Sequence, residues 1–142
     1  MNKITLHGVI KNIQPSHESG GIEFSKANLV VKREDGYEDT LTIKFKKFSN
    51  KYQENDVVSL TGNVRSFSRQ FENGKSKVDV YVFTYFDTPD SIATNEFTID
   101  GRICKFSGLA KTKSGKEYCH LTLANNIKNG DSVLNSYLPC VV

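Results

Sequence analysis

Apolar and polar positions alternate with a period of two along most of this chain. The first stretch of this kind runs from Ile4 to Ile10, and the second covers residues 22–32. Side chains two residues apart lie on the same face of a β-strand, so this period predicts strands with one apolar face. Three more strands are predicted before residue 90, with apolar positions at Leu41, Ile43 and Phe45, at Val58, Leu60 and Val64, and at Val78, Val80 and Val82.

Residues with strong turn preferences separate these stretches. Residues 15–21 include a proline and two adjacent glycines, and they predict a loop between the first two strands. Asp35-Gly36 and Asn73-Gly74 are dipeptides that favour tight hairpin turns. They predict one hairpin that joins strands two and three, and another that joins strands four and five.

One segment has a different period. Phe45, Phe48 and Tyr52 are spaced by three and then four residues, which places them on one side of a short helix. Three strands, a short helix and two strands is the element order of the OB-fold, a five-stranded Greek-key barrel. The pattern therefore predicts an all-β protein with a five-stranded OB-fold barrel and one short helix.

The second half of the chain repeats the first strands. Residues 2–8 match residues 95–101, and Leu29 then aligns with Leu123 after one gap. The copy continues through a third strand and has no counterpart of the helix or of strands four and five. These features predict an OB-fold domain at residues 1–88, a linker at 89–94 and a partial second OB-like repeat at 95–142.

Four segments resemble the bacterial and phage single-stranded DNA-binding protein family. Residues 2–10 and 27–32 look like that family's first and second strands. Residues 55–65 are similar to its pattern of a turn, an apolar strand, a glycine and a basic residue, and Gly74 follows Gly62 by twelve residues, as in the family's hairpin. The resemblance implies an OB-fold that binds single-stranded DNA without catalysis.

The chain also departs from that family. Its helical segment after Phe45 looks shorter, it contains no Trp, and residues 138–142 are apolar instead of forming an acidic tail that ends in Phe. The resemblance therefore does not extend to the partner recruitment that such a tail provides. These departures favour a phage- or plasmid-encoded relative.

The hairpin of strand four offers the chemistry that a single strand needs. Unstacked bases lie on aromatic rings, and cations replace the counterions of the phosphates. Six residues combine these features, namely the alternating Arg65, Phe67, Arg69 and Phe71 and the following Lys75 and Lys77. We predict that they bind DNA. Packing of the two rings on a neighbouring loop or subunit is the alternative.

Four further residues are candidates for DNA contact, namely Phe45, Lys44, Lys46 and Tyr37. Phe45 stands where the resemblance places a stacking ring, but it also begins the helical spacing, so a core position is the alternative. The two lysines belong to a basic cluster that is alternatively a solvated surface. Tyr37 follows the turn at Gly36, from which its ring either reaches a base or has no role.

Two regions predict contacts with other chains. Tyr81, Phe83 and Tyr85 lie on the outward face of strand five, and exposed rings in a row are typical of an interface with DNA or with another subunit. In the partial repeat, apolar residues such as Ile103 and Leu123 have too few strands to close a barrel. We expect self-association into a homo-oligomer, with docking on the first barrel and a truncated chain as alternatives.

Composition excludes several classes of protein. The chain has 37% hydrophobic and 25% charged residues, which predicts an ordered globular protein. No window approaches about 18 apolar residues, so we expect no membrane contact and a cytoplasmic location. The three cysteines form no C-x-x-C pair and the three histidines lack ligand spacing, so we expect no metal and no cofactor.

The inventory of side chains also argues against catalysis. The sequence shows no grouping of nucleophile, histidine and carboxylate and no phosphate-binding glycine loop, so we predict that the protein is not an enzyme. The leading interpretation is largely sequence-independent binding of single-stranded DNA in replication, recombination or transfer, with proteins of those processes as further partners. An OB-fold adaptor that binds protein is the alternative, and structured RNA is a third ligand.

Overall fold

The structure is a computed structural model that describes residues 1–47, 52–87 and 94–142. Within these residues it contains strands and no α-helix, so the predicted all-β class is confirmed. The strands are β1 (Asn2–Ser19), β2 (Ile22–Lys32), β3 (Glu38–Lys46), β4 (Val57–Gln70), β5 (Ser76–Asp87), β6 (Glu96–Ile99), β7 (Arg102–Lys111), β8 (Glu117–Asn129) and β9 (Ser132–Val141). The predicted helix around Phe48 and most of the predicted linker 89–94 lie outside the described residues.

The described residues form two compact units. The first unit comprises residues 3–64 and 81–98, and the second comprises residues 1–2, 65–80 and 99–142. The tip of the β4–β5 hairpin is therefore part of the second unit, together with β7, β8 and β9.

The first five strands pair around a closed ring. β1 pairs antiparallel with both β2 and β4, and β2 pairs antiparallel with β3. β5 lies between β3 and β4 and runs parallel to β3, while β6 adds to the free side of β1. Gly62 permits the close approach of β4 to β5, because a Cβ atom there would lie 2.1 Å from the carbonyl oxygen of Phe83.

The apolar face of these strands forms the core of the first unit. Ile10, Leu29, Ile43 and Leu60 come from four different strands, and each is at most 1% exposed. Full burial of such a side chain stabilises a fold by about 1.5–3 kcal/mol. The alternation read from the sequence therefore identified the side of each strand that faces the core.

The core face predicted for strand five is only partly correct. Val82 is buried, but Val78 and Val80 are 42% and 43% exposed. Val82 is the residue that pairs with Ile43 on β3, whereas Val78 and Val80 belong to the hairpin tip in the second unit. An alternating pattern marks one face of a strand, but it does not show where along the strand the covering elements end.

The loop predicted for residues 15–21 is wrong. β1 continues to Ser19 and β2 begins at Ile22, so only Gly20 and Gly21 form the turn. Both glycines have positive φ angles, 59° and 79°, which suit the tightest hairpin turns. Pro15 fits within the ribbon because the β1–β2 register shifts beside it, as at a β-bulge.

The second sheet repeats the pairing of the first three strands. β7, β8 and β9 form an antiparallel sheet in which Leu123 pairs with Ile103 on one side and with Leu138 on the other. In the first sheet, Leu29 likewise pairs with Ile10 on β1 and with Leu41 on β3.

A glycine marks the same position in both sheets. A Cβ atom added at Gly8 would lie 2.4 Å from the carbonyl oxygen of Val30, and one added at Gly101 would lie 2.4 Å from that of Ala124. Each glycine precedes its isoleucine by two residues. The correspondence between the sheets is therefore one of backbone geometry as well as of sequence.

One buried amide holds the start of the chain within the second unit. The Nδ2 atom of Asn125 donates hydrogen bonds to the carbonyl oxygens of Asp100, at 2.7 Å, and Met1, at 3.3 Å. Its Oδ1 atom accepts a hydrogen bond from Nδ2 of Asn2 at 3.1 Å. Asn125 is 3% exposed, so these bonds satisfy a polar group that has little access to water.

Candidate nucleic-acid interface

The outer face of β2, β3 and β5 brings rings and lysines together in the first unit. Because Ser25, Ala27, Ile43 and Phe45 point into the core, their neighbours along the strands point outward. Lys26 pairs with Lys44, and Lys44 pairs in turn with Phe83 on β5. We call this surface the outer face, and it comprises Phe24, Lys26, Lys44, Lys46, Tyr81, Phe83 and Tyr85.

The rings of the outer face continue onto the β1–β2 ribbon. His17 stacks on Phe24 with a centroid separation of 4.6 Å and an interplanar angle of 8°. Phe24 lies 6.0 Å from Phe83 in a tilted arrangement, and Tyr85 is 50% exposed. A groove of about 530 Å³ lies beside His17 and Phe24. This arrangement presents several ring surfaces along one side of the unit.

Lysines lie among these rings. The Nζ atom of Lys44 is 4.3 Å from the centroid of the Tyr81 ring, a cation–π geometry that holds the ammonium group at the surface. Lys26 is exposed directly across from it. Lys47 donates a 2.6 Å hydrogen bond to Glu23, which raises the pKa of that lysine above its ordinary value. Lys47 is therefore partly neutralised by its carboxylate partner.

The prediction that Phe45 stacks on a base is corrected. Phe45 is 2% exposed, and its ring packs edge-on against Tyr52 with a centroid separation of 5.4 Å. Its neighbours Lys44 and Lys46 point to the opposite side of β3, as a two-residue period requires. Phe45 therefore belongs to the core, which was the alternative interpretation of its spacing.

Tyr37 lies at the other end of β3 from Lys46. Its ring is 71% exposed, and its backbone N–H donates to Oδ1 of Asp35 within the turn that contains Gly36. Arg33 makes two hydrogen bonds of 2.6 Å to Asp39 across the same hairpin, and this ion pair lowers the pKa of the Asp39 carboxyl group. The hairpin is thus held in place, but Tyr37 stands apart from the rings of the outer face.

The hairpin tip in the second unit holds the six residues predicted from the alternating pattern. Phe67 and Phe71 are 40% and 46% exposed, and Lys75 and Lys77 are also exposed. The guanidinium carbon of Arg69 lies 5.9 Å from the Phe71 ring centroid. The alternation that was read from the sequence is therefore present as an exposed set of rings and cations.

Arg69 has a partner that the sequence did not reveal. Its Nη2 atom donates a 3.1 Å hydrogen bond to Oδ1 of Asp79, and its Nε atom pairs with the other carboxylate oxygen. Asp79 lies on the opposite strand of the hairpin, ten positions along the chain. The carboxylate offsets the charge of Arg69, so this side chain is a weaker phosphate ligand than a solvated arginine.

Three residues of the interface were missed from the sequence. His17 was missed because residues 15–21 read as a loop, which separated it from any strand face, whereas Phe24 was overlooked although it lies within the predicted second strand. Lys26 was overlooked although it alternates with the buried Ser25 and Ala27. The apolar face of β2 was sufficient to predict its outward neighbours.

Two other kinds of site are absent from the described ranges. No group of three or more His, Cys, Asp or Glu residues in them is placed to hold a metal ion. Among those same residues, no helix has the length and apolar character needed to cross a membrane.

Comparison with known proteins gives matches in structure only. No protein-family model and no curated protein matches the chain. The single-stranded DNA binding protein from Thermus aquaticus matches with a TM-score of 0.69 and 17% identity over 99% of this chain and 73% of that one. The N-terminal domain of PriB protein from Thermoanaerobacter tencongensis, solved as a dimer, matches with a TM-score of 0.50 and 24% identity over 63% of this chain and 98% of that one.

The two matches agree with the geometry described above. The match to the Thermus protein extends over both sheets, because it covers nearly all of the chain. The closed ring of five strands has the pairing order of an OB-fold, in which β1 pairs with β2 and β4 while β3 runs parallel to β5. The chain therefore has the OB-fold of the single-stranded DNA-binding proteins.

Proposed function

We propose that this protein binds single-stranded DNA without catalysis and with little sequence preference. The observation that carries the proposal is the outer face, where Lys26 and Lys44 lie among the rings of Phe24, Tyr81 and Phe83. Rings accept the flat face of any base, and ammonium groups contact phosphates that every sequence shares. Such a surface favours single strands, because bases in a duplex are already stacked on one another.

The hairpin tip supplies a second set of contacts in this proposal. Phe67 and Phe71 offer stacking surfaces, and Lys75 and Lys77 offer cations that are spaced along the turn. Arg69 contributes mainly through its planar group beside Phe71, since Asp79 offsets its charge. Arg65 completes the alternation at the base of the tip.

We further propose that the protein acts in DNA replication, recombination or transfer and that it self-associates. Val133, Tyr137 and Val141 follow one another at intervals of four residues on one face of β9, and each is more than half exposed. This row carries no charge, and β9 lies at one edge of its sheet. Uncharged apolar rows of this kind are typical of contacts between protein chains.

A titration with fluorescent oligo-dT, followed by anisotropy at several salt concentrations, tests the DNA proposal. We expect similar affinities for oligo-dT and for unrelated unstructured oligomers, with affinity falling as salt rises by a logarithmic slope of about −0.7 for each phosphate contact. Strong preference for one sequence, for duplex DNA or for a hairpin RNA would contradict a stacking surface. An adaptor that binds only protein would show neither affinity nor slope.

Sedimentation tests the self-association proposal separately. The double variant Val133→Asp, Val141→Asp should sediment as a smaller species than the unchanged protein, because each aspartate places a charge in the contact. Val57→Asp is the matched control, since Val57 is 63% exposed but belongs to the first unit. Equal sedimentation of all three proteins would remove β9 from consideration as the contact.

A further inference from the structure

Strand β7 is unlike the other long strands, because it is exposed along its whole length. Every residue from Arg102 to Lys111 except Gly108 is exposed. Ile103, Phe106 and Leu109 are 58%, 62% and 74% exposed. Among the described residues, β7 pairs with β8 on one side and is the terminal strand of its sheet on the other. Its outer edge therefore carries backbone N–H and C=O groups that pair with no described strand, in short stretches separated by the bulges at 103–105 and 106–109.

The two faces of β7 differ in chemistry. Arg102 and Lys105 pair with Ala124 and Thr122 of β8, while Ile103, Phe106 and Leu109 pair with Leu123, Leu121 and Cys119. Even-numbered and odd-numbered residues of β8 point to opposite faces, so the two cations lie on one face of β7 and the three apolar side chains lie on the other. Ile103, Phe106 and Leu109 are three residues apart and would fall on alternating faces of a regular strand. The bulges between Ile103 and Lys105 and between Phe106 and Leu109 place them on the same face.

The C-terminal part of the chain carries a net positive charge. Residues 99–142 contain six Lys or Arg residues and three Asp or Glu residues, so this segment accounts for the whole formal net charge of +3. Three of the cations belong to β7, which contains no acidic residue. A strand that adds to this edge would meet Arg102 and Lys105 on one face and the apolar groups on the other, where the third cation, Lys111, pairs with Glu117 of β8.

We propose that the free edge of β7 binds an extended acidic segment of another protein, in which acidic and apolar residues alternate. The segment would add to the sheet as a further strand, with backbone hydrogen bonds to β7. Its acidic side chains would lie beside Arg102 and Lys105, and its apolar side chains would cover Ile103, Phe106 and Leu109. A groove of about 610 Å³ begins at Lys105 and Phe106 and extends across the sheet past His120.

Two other occupants fit this edge less well. A second copy of β7 would place Arg102 and Lys105 against the same cations in the partner strand, and like charges that face one another across strands are destabilising. A nucleic acid would satisfy the cations, but it has no backbone that matches a ladder of amides and carbonyls. Of the three exposed apolar side chains, only Phe106 provides a flat surface for a base, whereas Ile103 and Leu109 do not.

The test uses the full chain and a labelled, end-capped peptide of alternating Asp and Leu residues, with binding measured by fluorescence anisotropy. A peptide of alternating Lys and Leu residues is the charge control. A third peptide carries N-methyl groups on alternate amides, which removes the donors on one side of the strand. We expect the acidic peptide to bind about fivefold more tightly than either control, since one exposed ion pair contributes up to about 1 kcal/mol.

Variants locate the binding edge. Lys105→Glu should weaken binding of the acidic peptide about fivefold or more, because it replaces attraction by repulsion. Lys128→Glu is the matched control on β8, where the lysine pairs with Val133 at the far end of the sheet, and it should leave the affinity nearly unchanged. Equal binding of the acidic and basic peptides, or no effect of Lys105→Glu, would overturn the proposal.

Two competition experiments distinguish the other occupants. Displacement of the acidic peptide by oligo-dT, together with weaker oligo-dT binding in Lys105→Glu, would assign the edge to nucleic acid and overturn the proposal. A change in sedimentation caused by Lys105→Glu would assign the edge to a second copy of the chain and would also overturn the proposal. The proposal is supported if Lys105→Glu lowers the affinity for the acidic peptide and leaves both the sedimentation and the oligo-dT affinity unchanged.

Discussion

The sheets β1-β2-β3 and β7-β8-β9 have the same backbone pairing and different surroundings. Ile10 pairs with Leu29 in one sheet, and Ile103 pairs with Leu123 in the other. Ile10 is fully buried, whereas Ile103 is 58% exposed. In the first sheet, β4 and β5 complete the ring, and in the second sheet no described strand does so. Alternation thus specifies the apolar face of a strand, while burial depends on the strands that close over that face.

The outward sides of the two sheets differ in charge. Lys26 pairs with Lys44 in the first sheet, and the equivalent pair in the second sheet is His120 with Val141. The position that offers two ammonium groups in one sheet therefore offers an imidazole and a valine in the other. Two copies of one strand pattern can retain a common framework while their exposed positions suit different ligands.

The largest expected effect comes from truncating the equivalent isoleucines. Ile10→Ala should lower the free energy of unfolding by about 2–5 kcal/mol, because it leaves a cavity in a closed core. Ile103→Ala should change it by less than about 0.5 kcal/mol, since the side chain is already in contact with water. Urea unfolding followed by circular dichroism measures both. Similar losses in the two variants would mean that the second sheet is covered in solution.

Aromatic truncation on the outer face compares the sheets as binding surfaces. Phe24→Ala should weaken oligo-dT binding by about 1–3 kcal/mol, the contribution of one stacked base. Tyr118 occupies the equivalent position in the second sheet, where its ring lies edge-on to His120 at 5.6 Å. Tyr118→Ala should leave the affinity nearly unchanged. Equal losses in folded variants would extend the DNA surface to the second sheet.

The rings of the hairpin tip provide a third comparison, because they belong to the second unit but not to its sheet. Phe67→Ala and Phe71→Ala should each weaken oligo-dT binding by about 1–3 kcal/mol when a base stacks on the ring. Val78→Ala is a control on the same hairpin, where the side chain is 42% exposed and aliphatic. Unchanged affinity in both Phe variants would restrict the proposed interface to the first unit.

The paired lysines should affect salt dependence more than affinity. The double variant Lys26→Gln, Lys44→Gln should make the logarithmic salt slope shallower by about 1.4, since each lost phosphate contact removes about 0.7. The variant His120→Gln, Val141→Gln changes the equivalent pair in the second sheet and should leave the slope as it is. A steep slope that persists in the lysine variant would indicate that other cations contact the phosphates.

The smallest expected effect concerns the ion pair of the β2–β3 hairpin. Arg33 lowers the pKa of Asp39 below its ordinary value of 3.8, so the folded state favours the ionised carboxylate. The stabilisation is therefore present above about pH 4 and is lost as pH falls through the lowered pKa of the folded state. Asp39→Asn should flatten this acid-side decrease in stability slightly. The pair is at the surface, so a strong shift of the acid transition in this variant would contradict a small contribution from the pair.

The sequence predicted the strands better than it predicted their connections and partners. The bounds of β2 were read correctly because its alternation ends at a glycine pair and at an Asp-Gly turn. The same glycine pair was read as part of a loop, since a two-residue turn within a Pro- and Ser-containing segment leaves no distinct local signal. His17 was missed for this reason, although its stacking on Phe24 is a prominent part of the proposed interface.

Local patterns also could not reveal pairings across strands. Phe45 fits a helical spacing and a strand alternation equally well, and only the three-dimensional packing against Tyr52 decides between binding and core. Arg69 reads as a cation in a basic hairpin, because its partner Asp79 is ten residues away on the returning strand. Both cases depend on contacts that a linear pattern does not contain.

The hydrogen bonds of Asn125 have a consequence for the order in which the chain folds during its synthesis. Asn2 is made early, but the amide that it contacts follows 123 residues later. At about 5–20 residues per second, a ribosome needs roughly 6–25 s to add that length. The first strands can pair with one another during this time, whereas the hydrogen bonds of Met1 and Asn2 to Asn125 cannot form until β8 leaves the ribosome. Residues synthesised long before β8 thus complete their hydrogen bonds only after it.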